Sequence, residues 1–284
     1  MRVTDFSLLF MKYQGNYFMK KTLIALAVAA SAVVSGSAVA WNPGGSGGTL
    51  NLGGELDIAG EKLPWDVAVG AGVKDLNAML EKGAKSATIA LKGDIPVLGL
   101  RLKGDTFYGK QGLSPNIDYG TAINVDKISN GAVDTRLDVK SEHGDVIGTM
   151  TVPLWIAAES MDITVTQGSA GESITGLDRV MPFANTKGDL FYGGVAKNAK
   201  GVWNDKAAHD FMKRVFSDID AHWQDFERDL STPHVVKPVE NNHKYNGMYA
   251  SAFPSGKNIV IKLNSPLQTS TVWQASMPIT ISYL

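Results

Sequence analysis

Arg136-Leu137-Asp138-Val139-Lys140 alternates polar and apolar residues, as a strand with one buried face does. Glu142-His143-Gly144-Asp145 follows as a turn, and Val146 to Trp155 returns as a second apolar-rich run. Together these segments predict a β-hairpin over residues 133–155. Antiparallel β-structure is therefore the first expectation for this chain.

Further strands are predicted on the same signals. Lys85 to Leu91 alternates, and Gly247 to Phe253, a turn at Pro254–Lys257 and Asn258 to Leu263 form a second hairpin. The segment from Thr271 to Leu284 is predicted to be a final strand, and Gly168 to Gly176 a loop. The spacing of the strands is that of an antiparallel sandwich.

One segment departs from the β pattern. Between Asp205 and Leu230 apolar residues recur at steps of three and four, which predicts a long helix. Asn204 or Asp205 is expected to cap its start, and Pro233 to limit its end. A shorter helix is predicted at Val73 to Leu80.

Composition excludes several classes of protein. The 284 residues are 44% hydrophobic and carry a formal net charge of -1, which argues against nucleic acid as the main partner. Zero cysteine excludes a disulfide framework, thiol catalysis and cysteine-ligated zinc. The chain is long enough to bury a sizeable core.

The first forty residues have the pattern of an export signal. Met19-Lys20-Lys21 is basic, Thr22 to Val34 is apolar, and Ala38-Val39-Ala40 is a small-residue cleavage signature. We therefore interpret 19–40 as a signal peptide and 1–18 as an upstream, misassigned start. The expected route leads through the periplasm to the cell surface.

Motifs that carry chemistry are weak in this sequence. Gly44-Gly45-Ser46-Gly47-Gly48 resembles a nucleophile elbow only formally, because no strand is predicted before it and no helix after it. Asp218, His222 and Asp225 share one face of the predicted helix, but a solvated charged face explains them better than a metal site. We expect no catalytic residue, no metal and no cofactor.

The start of the exported chain suggests another role. After the glycine-rich stretch from Trp41 to Gly48, four apolar residues and one glycine alternate onto one face: Leu50, Leu52, Gly54, Leu56 and Ile58. A tethered amphipathic strand of this kind can add to the open edge of a neighbouring sheet. On pattern alone, a strand paired within its own chain remains the alternative.

The end of the chain is consistent with strand addition. The predicted last strand places four large side chains on one face: Met277, Ile279, Ile281 and Tyr283. A subunit that lacks one strand exposes an apolar groove and an unpaired edge, which aggregates unless it is covered. We expect a periplasmic chaperone to cover this C-terminal strand until the next subunit supplies its own N-terminal strand.

At these residues the sequence resembles the K-88-type fimbrial subunits of enterobacteria. The resemblance begins in the signal peptide and runs through the whole exported chain. Its matching segments are Leu52-Gly-Gly-Glu-Leu56, Trp65-Asp-Val-Ala-Val-Gly70, Leu190-Phe-Tyr-Gly-Gly194, Thr269-Ser-Thr-Val-Trp273 and Ile279-Thr-Ile-Ser-Tyr283.

The resemblance implies a mainly β fold, an incomplete immunoglobulin-like sandwich of the pilin type completed by a donor strand. It implies a donor extension at 41–60, a sandwich domain at 61–284 and a helical insertion at about 168–246. The implied partners are identical or related subunits, a periplasmic chaperone, an outer-membrane usher and host glycoconjugates. Phe191 and Tyr192 lie where receptor-binding members place part of the sugar site, although Phe191 could equally be a core residue.

Two alternatives to an adhesive structural subunit stay open. The chain could be a minor or tip-associated subunit without receptor binding, because the insertion departs most from the family. It could also be a secreted carbohydrate-active protein, which would require a cleft with paired carboxylates. Neither alternative changes the expectation of an exported β-protein.

Overall fold

The computed structural model describes residues 63–224, 226 and 228–284. These residues form a mainly β fold with one α-helix, α1 (Lys206–Val215), and short 3-10 turns at Val125–Lys127 and Ala199–Gly201. The strands in chain order are β1 (Trp65–Val69), β2 (Ser86–Ala90), β3 (Ile95–Leu102), β4 (Phe107–Tyr108), β5 (Pro115–Asp118), β6 (Ala132–Ser141), β7 (Val146–Gly168), β8 (Gly171–Val180), β9 (His243–Phe253), β10 (Asn258–Leu263), β11 (Trp273–Gln274) and β12 (Thr280–Tyr283).

The strands pair antiparallel around the long strand β7. The main sheet has the order β1-β3-β9-β7-β10-β2, and β6 and β8 pair with other parts of β7. A separate two-stranded sheet joins β12 to β5. Because β7 contacts β6, β8, β9 and β10 at successive positions, it ties most of the sheet together.

One of the two predicted hairpins is confirmed. β6 and β7 pair from Ala132 opposite Trp155 to Lys140 opposite Val146, and the predicted turn lies between them. The second predicted hairpin is wrong: β9 and β10 flank the turn at 254–257 as predicted, but they do not pair with each other, because β7 lies between them in the sheet. β2 coincides with the predicted strand at 85–91. Local alternation next to a turn was sufficient for the β6–β7 hairpin, since neighbouring residues specify it.

Helix α1 lies on the outer face of β7 and β9. Its buried stripe is Ala208, Phe211, Met212 and Val215, and the sheet beneath presents small side chains at Ala157, Ala250 and Ala252. Small residues let a helix approach the sheet closely, so these alanines explain where α1 docks. The middle of β7 is therefore buried on both faces.

The predicted helix over 205–230 is wrong in length. Its start is confirmed, because the Asp205 carboxylate accepts a hydrogen bond from the Ala207 amide at 3.1 Å. It ends at Val215, where Arg101 donates to both the carbonyl and the carboxylate of Asp218, at 2.7 and 2.6 Å. This contact holds the chain in turns, although Ile219 remains buried as the stripe predicted.

Three other expectations are corrected. Val73 to Leu80 forms no helix. Most of the predicted loop at 168–176 is strand, because β7 and β8 pair down to Gly168 opposite Gly171. The predicted final strand is divided into β11 and β12, and Pro278, which lacks a backbone N–H, lies between them.

Candidate functional site

The C-terminal segment borders the candidate site. β11 pairs with the end of β6 and β12 pairs with β5. Among residues 63–224, 226 and 228–284, neither short strand pairs along its other edge. Such an edge presents backbone donors and acceptors to a further strand.

The side chains of this segment alternate as predicted. Met277, Ile279, Ile281 and Tyr283 are half-buried against the core, and the residues between them are exposed. The shared face of these four residues is therefore confirmed. Their proposed contact with a chaperone stays a prediction.

An apolar groove runs beside the segment and has two halves. The first half has a volume of about 620 Å³ and a floor that includes Leu137, Met150 and Ile259. Its walls come from residues 69–76 on one side and 272–279 on the other. These walls are almost two hundred residues apart in sequence and meet only in the folded protein.

The second half of the groove continues along the same strands. It has a volume of about 710 Å³ and a floor that includes Val139, Ile147 and Ile261. Val139 follows Leu137 by two residues on β6, and Ile261 follows Ile259 by two on β10, so both floors lie on one face of the sheet. Of the described residues, Trp273 alone lines both halves.

Large apolar side chains are exposed on both walls. Val69, Val73, Met79 and Val272 are exposed by 62%, 43%, 100% and 67%. Exposed apolar residues grouped around a groove mark a surface that another molecule or segment covers. Sequence patterns missed this wall because Val73 to Leu80 was predicted to be a helix, and no other signal in the segment marks it as the side of a groove.

The predicted donor residues Leu50, Leu52, Gly54, Leu56 and Ile58 lie outside the described residues. The same holds for the predicted signal peptide at 19–40. Their roles stay predictions, and the groove is the surface to which those predictions can be related.

Phe191 is a core residue. It has no exposed surface and packs edge-on against Trp65, with ring centroids 5.4 Å apart, and against Tyr249 at 5.5 Å. A sugar cannot stack on a ring that is fully covered, so the alternative role predicted for Phe191 fits its position better. Tyr192 is half-buried and keeps part of its surface exposed.

The segment around Phe191 supports β5. The backbone N–H of Ile117 donates a hydrogen bond to the Tyr192 carbonyl oxygen at 2.7 Å. Asn116 and Tyr192 thereby form an isolated parallel β-bridge. Phe191 itself adopts φ +60°, which allows this tight turn. Since β5 is the partner of β12, this turn also holds the C-terminal strand beside the groove.

Several charged groups away from the groove form ion pairs within the fold. Glu159 has no exposed surface, and its carboxylate accepts from Arg179 Nε and lies 2.7 Å from His209 Nδ1. Of the three residues that the sequence places on one charged helix face, Asp218 binds Arg101, His222 lies 3.7 Å from Asp105, and Asp225 is outside the described residues. The described part of the chain holds no group of three side chains arranged for a metal.

Buried tyrosines have raised pKa values. Tyr119 lies 2.8 Å from both the Tyr249 hydroxyl and Ser251 Oγ, and burial raises the pKa of Tyr119 to about 12. Burial also raises the pKa of Tyr249 well above its usual value. Both phenols are therefore neutral hydrogen-bonding groups of the core and not acid–base groups at neutral pH.

None of the helices in the described part of the chain has the length and apolar character needed to cross a membrane.

Comparison with known proteins gives one consistent result. The sequence model of a family described as "Fimbrial, major and minor subunit" matches residues 19–284. The chain is 28% identical over 292 residues to the K88 fimbrial protein AC of Escherichia coli, covering 93% of this chain and 100% of the relative. It is 29% identical over 288 residues to the F41 fimbrial protein of Escherichia coli, with the same coverage of both chains.

Proposed function

Because the chain belongs to the K88 family of major and minor fimbrial subunits, we propose that it polymerises into an adhesive fimbria by donor-strand exchange. It is a structural subunit of a surface fimbrium and not an enzyme. The proposal concerns how subunits join: residues 41–60 of one copy fill the apolar groove of the next. The observation that carries it is the groove itself, lined by apolar side chains beside an edge without a described partner strand.

The position of β1 favours insertion into another copy. The described chain starts at Leu63, two residues before β1, whereas the groove begins at Val69, at the other end of β1. Five strand residues cover roughly 13 Å, so residue 63 is separated from the groove by the length of β1. Insertion into its own groove would require the tail to reverse over that distance.

Export and chaperone capture complete the proposed route. The signal at 19–40 directs the chain to the periplasm, where a chaperone strand covers the face formed by Met277, Ile279, Ile281 and Tyr283. An outer-membrane usher then exchanges the chaperone strand for the tail of the next subunit.

N-terminal sequencing of the exported protein should find Trp41 as the first residue.

Charge substitutions in the tail test the assembly step. Leu52→Asp or Leu56→Asp would place a carboxylate in an apolar groove, which costs several kcal/mol. We expect these variants to abolish polymer formation in cells that supply chaperone and usher, as deletion of 41–60 also should. Asn51→Asp is the matched control, because alternation places residue 51 on the opposite face. Normal polymers from the Leu52 and Leu56 variants would contradict the proposal.

Glycoconjugate binding is a separable part of the proposal. The F41 and K88 relatives are named as fimbrial proteins, and the family resemblance extends to Leu190–Gly194. Tyr192 offers the partly exposed ring there. If it contacts sugar, Tyr192→Ala should reduce attachment of fimbriae to glycan-coated surfaces while leaving fimbrial length unchanged. Unchanged attachment would favour the minor-subunit alternative or a receptor site elsewhere.

A further inference from the structure

We infer that the outer face of the sheet around β6 is a contact between fimbriae, occupied by the same face of a second copy of this chain. The inference rests on assembly into a fimbria and goes beyond it, because it concerns how finished fibres associate side by side. It does not depend on the mechanism that joins subunits end to end. The observation that carries it is a pattern of charges that is complementary to itself.

The exposed side of β6 carries charges of alternating sign. Every second residue from 134 to 140 is exposed, namely Asp134, Arg136, Asp138 and Lys140. Within the described part of the chain, none of these four side chains forms an ion pair. Successive residues on one face of a strand are about 7 Å apart, which is too far for a direct ion pair between them. The four charges are therefore available to another molecule.

Neighbouring strands extend this stripe into a wider face. Two rows of directly opposed residues cross β6, β7 and β10, and they are Arg136–Thr151–Val260 and Asp138–Thr149–Lys262. Directly opposed residues of antiparallel strands lie on the same side of the sheet. All six are exposed or half-exposed, whereas α1 covers a different part of the sheet, over Ala157, Ala250 and Ala252.

A second copy fits this face when its β6 runs antiparallel to the first. A two-fold axis that crosses β6 at Leu137 brings Arg136 opposite Asp138 of the second copy. The same axis brings Asp134 opposite Lys140 of the second copy. All four charges of each stripe then face an opposite charge, which favours association and fixes the register. A two-fold axis along β6 would instead place every charge opposite the same charge.

The uncharged positions match under the same axis. Thr151 comes opposite Thr149 of the second copy, so two short side chains meet at the centre of the contact. Pro153 is the β7 partner of Asp134, and Val146 is the β7 partner of Lys140, so Pro153 comes opposite Val146 of the second copy. Val146 is exposed by 49% in the single chain, and the contact would cover it.

The free side of β6 is not available for edge-to-edge pairing. The backbone N–H of Arg136 donates a hydrogen bond to the Ala122 carbonyl oxygen at 2.8 Å. Further along, β11 pairs with Lys140 and Ser141. A second copy therefore has to be bound through the face of the sheet.

The size of the face explains why the contact belongs to fibres. Three or four strands of about seven residues cover roughly 400 Å² on each copy, which is less than a stable dimer needs. In a fimbria the face recurs along the fibre, and many weak contacts then act together. Subunits of one fibre follow one another head to tail, so a two-fold contact joins subunits of different fibres.

The test measures side-by-side association of isolated fimbriae by electron microscopy at low ionic strength. Arg136→Asp places a carboxylate opposite Asp138 of the second copy, so we expect at least about tenfold fewer paired fibres than wild type. Lys187→Asp makes the same change in net charge at an exposed position of the loop before Leu190, and should pair within about twofold of wild type. Equal pairing by the two variants would overturn the inference.

Mixing two variants identifies the facing residues. Asp138→Arg fimbriae should also stay single, because arginines then face each other. Mixed with Arg136→Asp fimbriae that carry a second dye, they should form two-coloured pairs, since the new aspartate at position 136 faces the new arginine at position 138. A mixture of Lys187→Asp and Asp138→Arg fimbriae has the same net charges but should form few two-coloured pairs. Equal numbers of two-coloured pairs in both mixtures would show that net charge alone acts, and would overturn the inference.

The outcomes also separate this inference from the proposed function. Wild-type fimbriae of normal length that remain single would overturn the inference and leave donor-strand exchange intact. Normal polymers from Leu52→Asp would contradict donor-strand exchange and leave the pairing result unaffected. If a β6 variant does not assemble, wild-type fimbriae decide, because 1 M salt shortens the Debye length to about 3 Å and should separate the pairs. Pairs that persist in 1 M salt would overturn the inference.

Discussion

Glu159 is a fully buried charged residue on the face of the sheet that α1 covers. Its carboxylate is fully buried and contacts Arg179 on β8 and His209 on α1, so one charge joins three elements. The Arg179 guanidinium also lies 5.8 Å above the Trp223 ring. A buried carboxylate is tolerated only when partners replace the lost water.

Removing Arg179 should therefore be costly. Arg179→Met leaves the Glu159 charge with His209 as its remaining ion-pair partner, and we expect a loss of about 3–5 kcal/mol in the free energy of unfolding. The double variant with Glu159→Gln should lose less, because the buried charge is gone. Urea unfolding measures both. Lys197→Met, which breaks an exposed pair with Asp126, is the control and should change little. Equal effects of Arg179→Met and Lys197→Met would contradict this account.

Tyr119 should make the protein sensitive to alkali. The unfolded phenol ionises near pH 10, but burial raises the pKa of Tyr119 to about 12 in the folded state. The stability linked to Tyr119 is therefore complete below pH 10 and is lost as the pH rises through 12, by about 3 kcal/mol at most. Tyr119→Phe should reduce this dependence in urea unfolding between pH 9 and 12, and buried Tyr249, whose pKa is also raised, should account for a part that remains. Ser251→Ala removes one of the two hydrogen bonds of the Tyr119 hydroxyl but keeps the phenol, so it should retain the dependence. An unchanged slope in Tyr119→Phe would refute the assignment.

Among the elements, the turn at Leu190–Gly194 links the core to the C-terminal strand. Gly193 has φ +81°, and a Cβ there would lie 2.1 Å from the Ile117 carbonyl oxygen of β5. Gly193→Ala should therefore displace β5, the partner of β12. Gly188 has a similar φ of +92° but open space around it, so Gly188→Ala isolates the backbone strain of about 1–2 kcal/mol.

We expect Gly193→Ala to lower the thermal unfolding midpoint clearly more than Gly188→Ala. It should also reduce the yield of chaperone complex, because β5 no longer holds the C-terminal face in place. Equal midpoints for the two variants would mean that β5 adapts to the added methyl group.

Elements were predictable from sequence where their determinants are local. The β6–β7 hairpin was found because its alternation and turn are contiguous. The end of α1 was missed because the apolar stripe continues past Val215, whereas the chain that follows contacts Arg101, which is 117 residues from Asp218. The β7–β8 hairpin was missed because its exposed threonines and glycines resemble a loop when the partner strand is ignored.

At the scale of the whole molecule, the groove is a property that no single segment contains. Its walls at 69–82 and 267–279 have weak patterns of their own, and its floor includes residues of several strands that are distant in sequence. The sequence nevertheless predicts the two segments of the proposed assembly interaction, the alternating tail, which stays a prediction, and the one-sided C-terminal strand. It could not predict the groove beside that strand, because a groove depends on the packing of distant segments.

If donor-strand exchange operates as proposed, the free subunit should be stabilised by a donor-strand peptide added in trans. A chain that lacks residues 41–60 keeps the groove but has no tail of its own. A synthetic peptide of residues 49–60 should therefore bind to the folded state of this chain and not to its unfolded state. At a peptide concentration one hundred times its Kd, binding adds about 2.7 kcal/mol to the free energy of unfolding and raises the urea midpoint. The peptide with Leu52→Asp should add nothing, whereas the peptide with Asn51→Asp should act like wild type, because the alternation of the sequence predicts residue 51 on the opposite face of the strand. If the wild-type peptide leaves the midpoint unchanged over a wide concentration range, the groove does not accept this strand, and the apolar walls must be covered in another way.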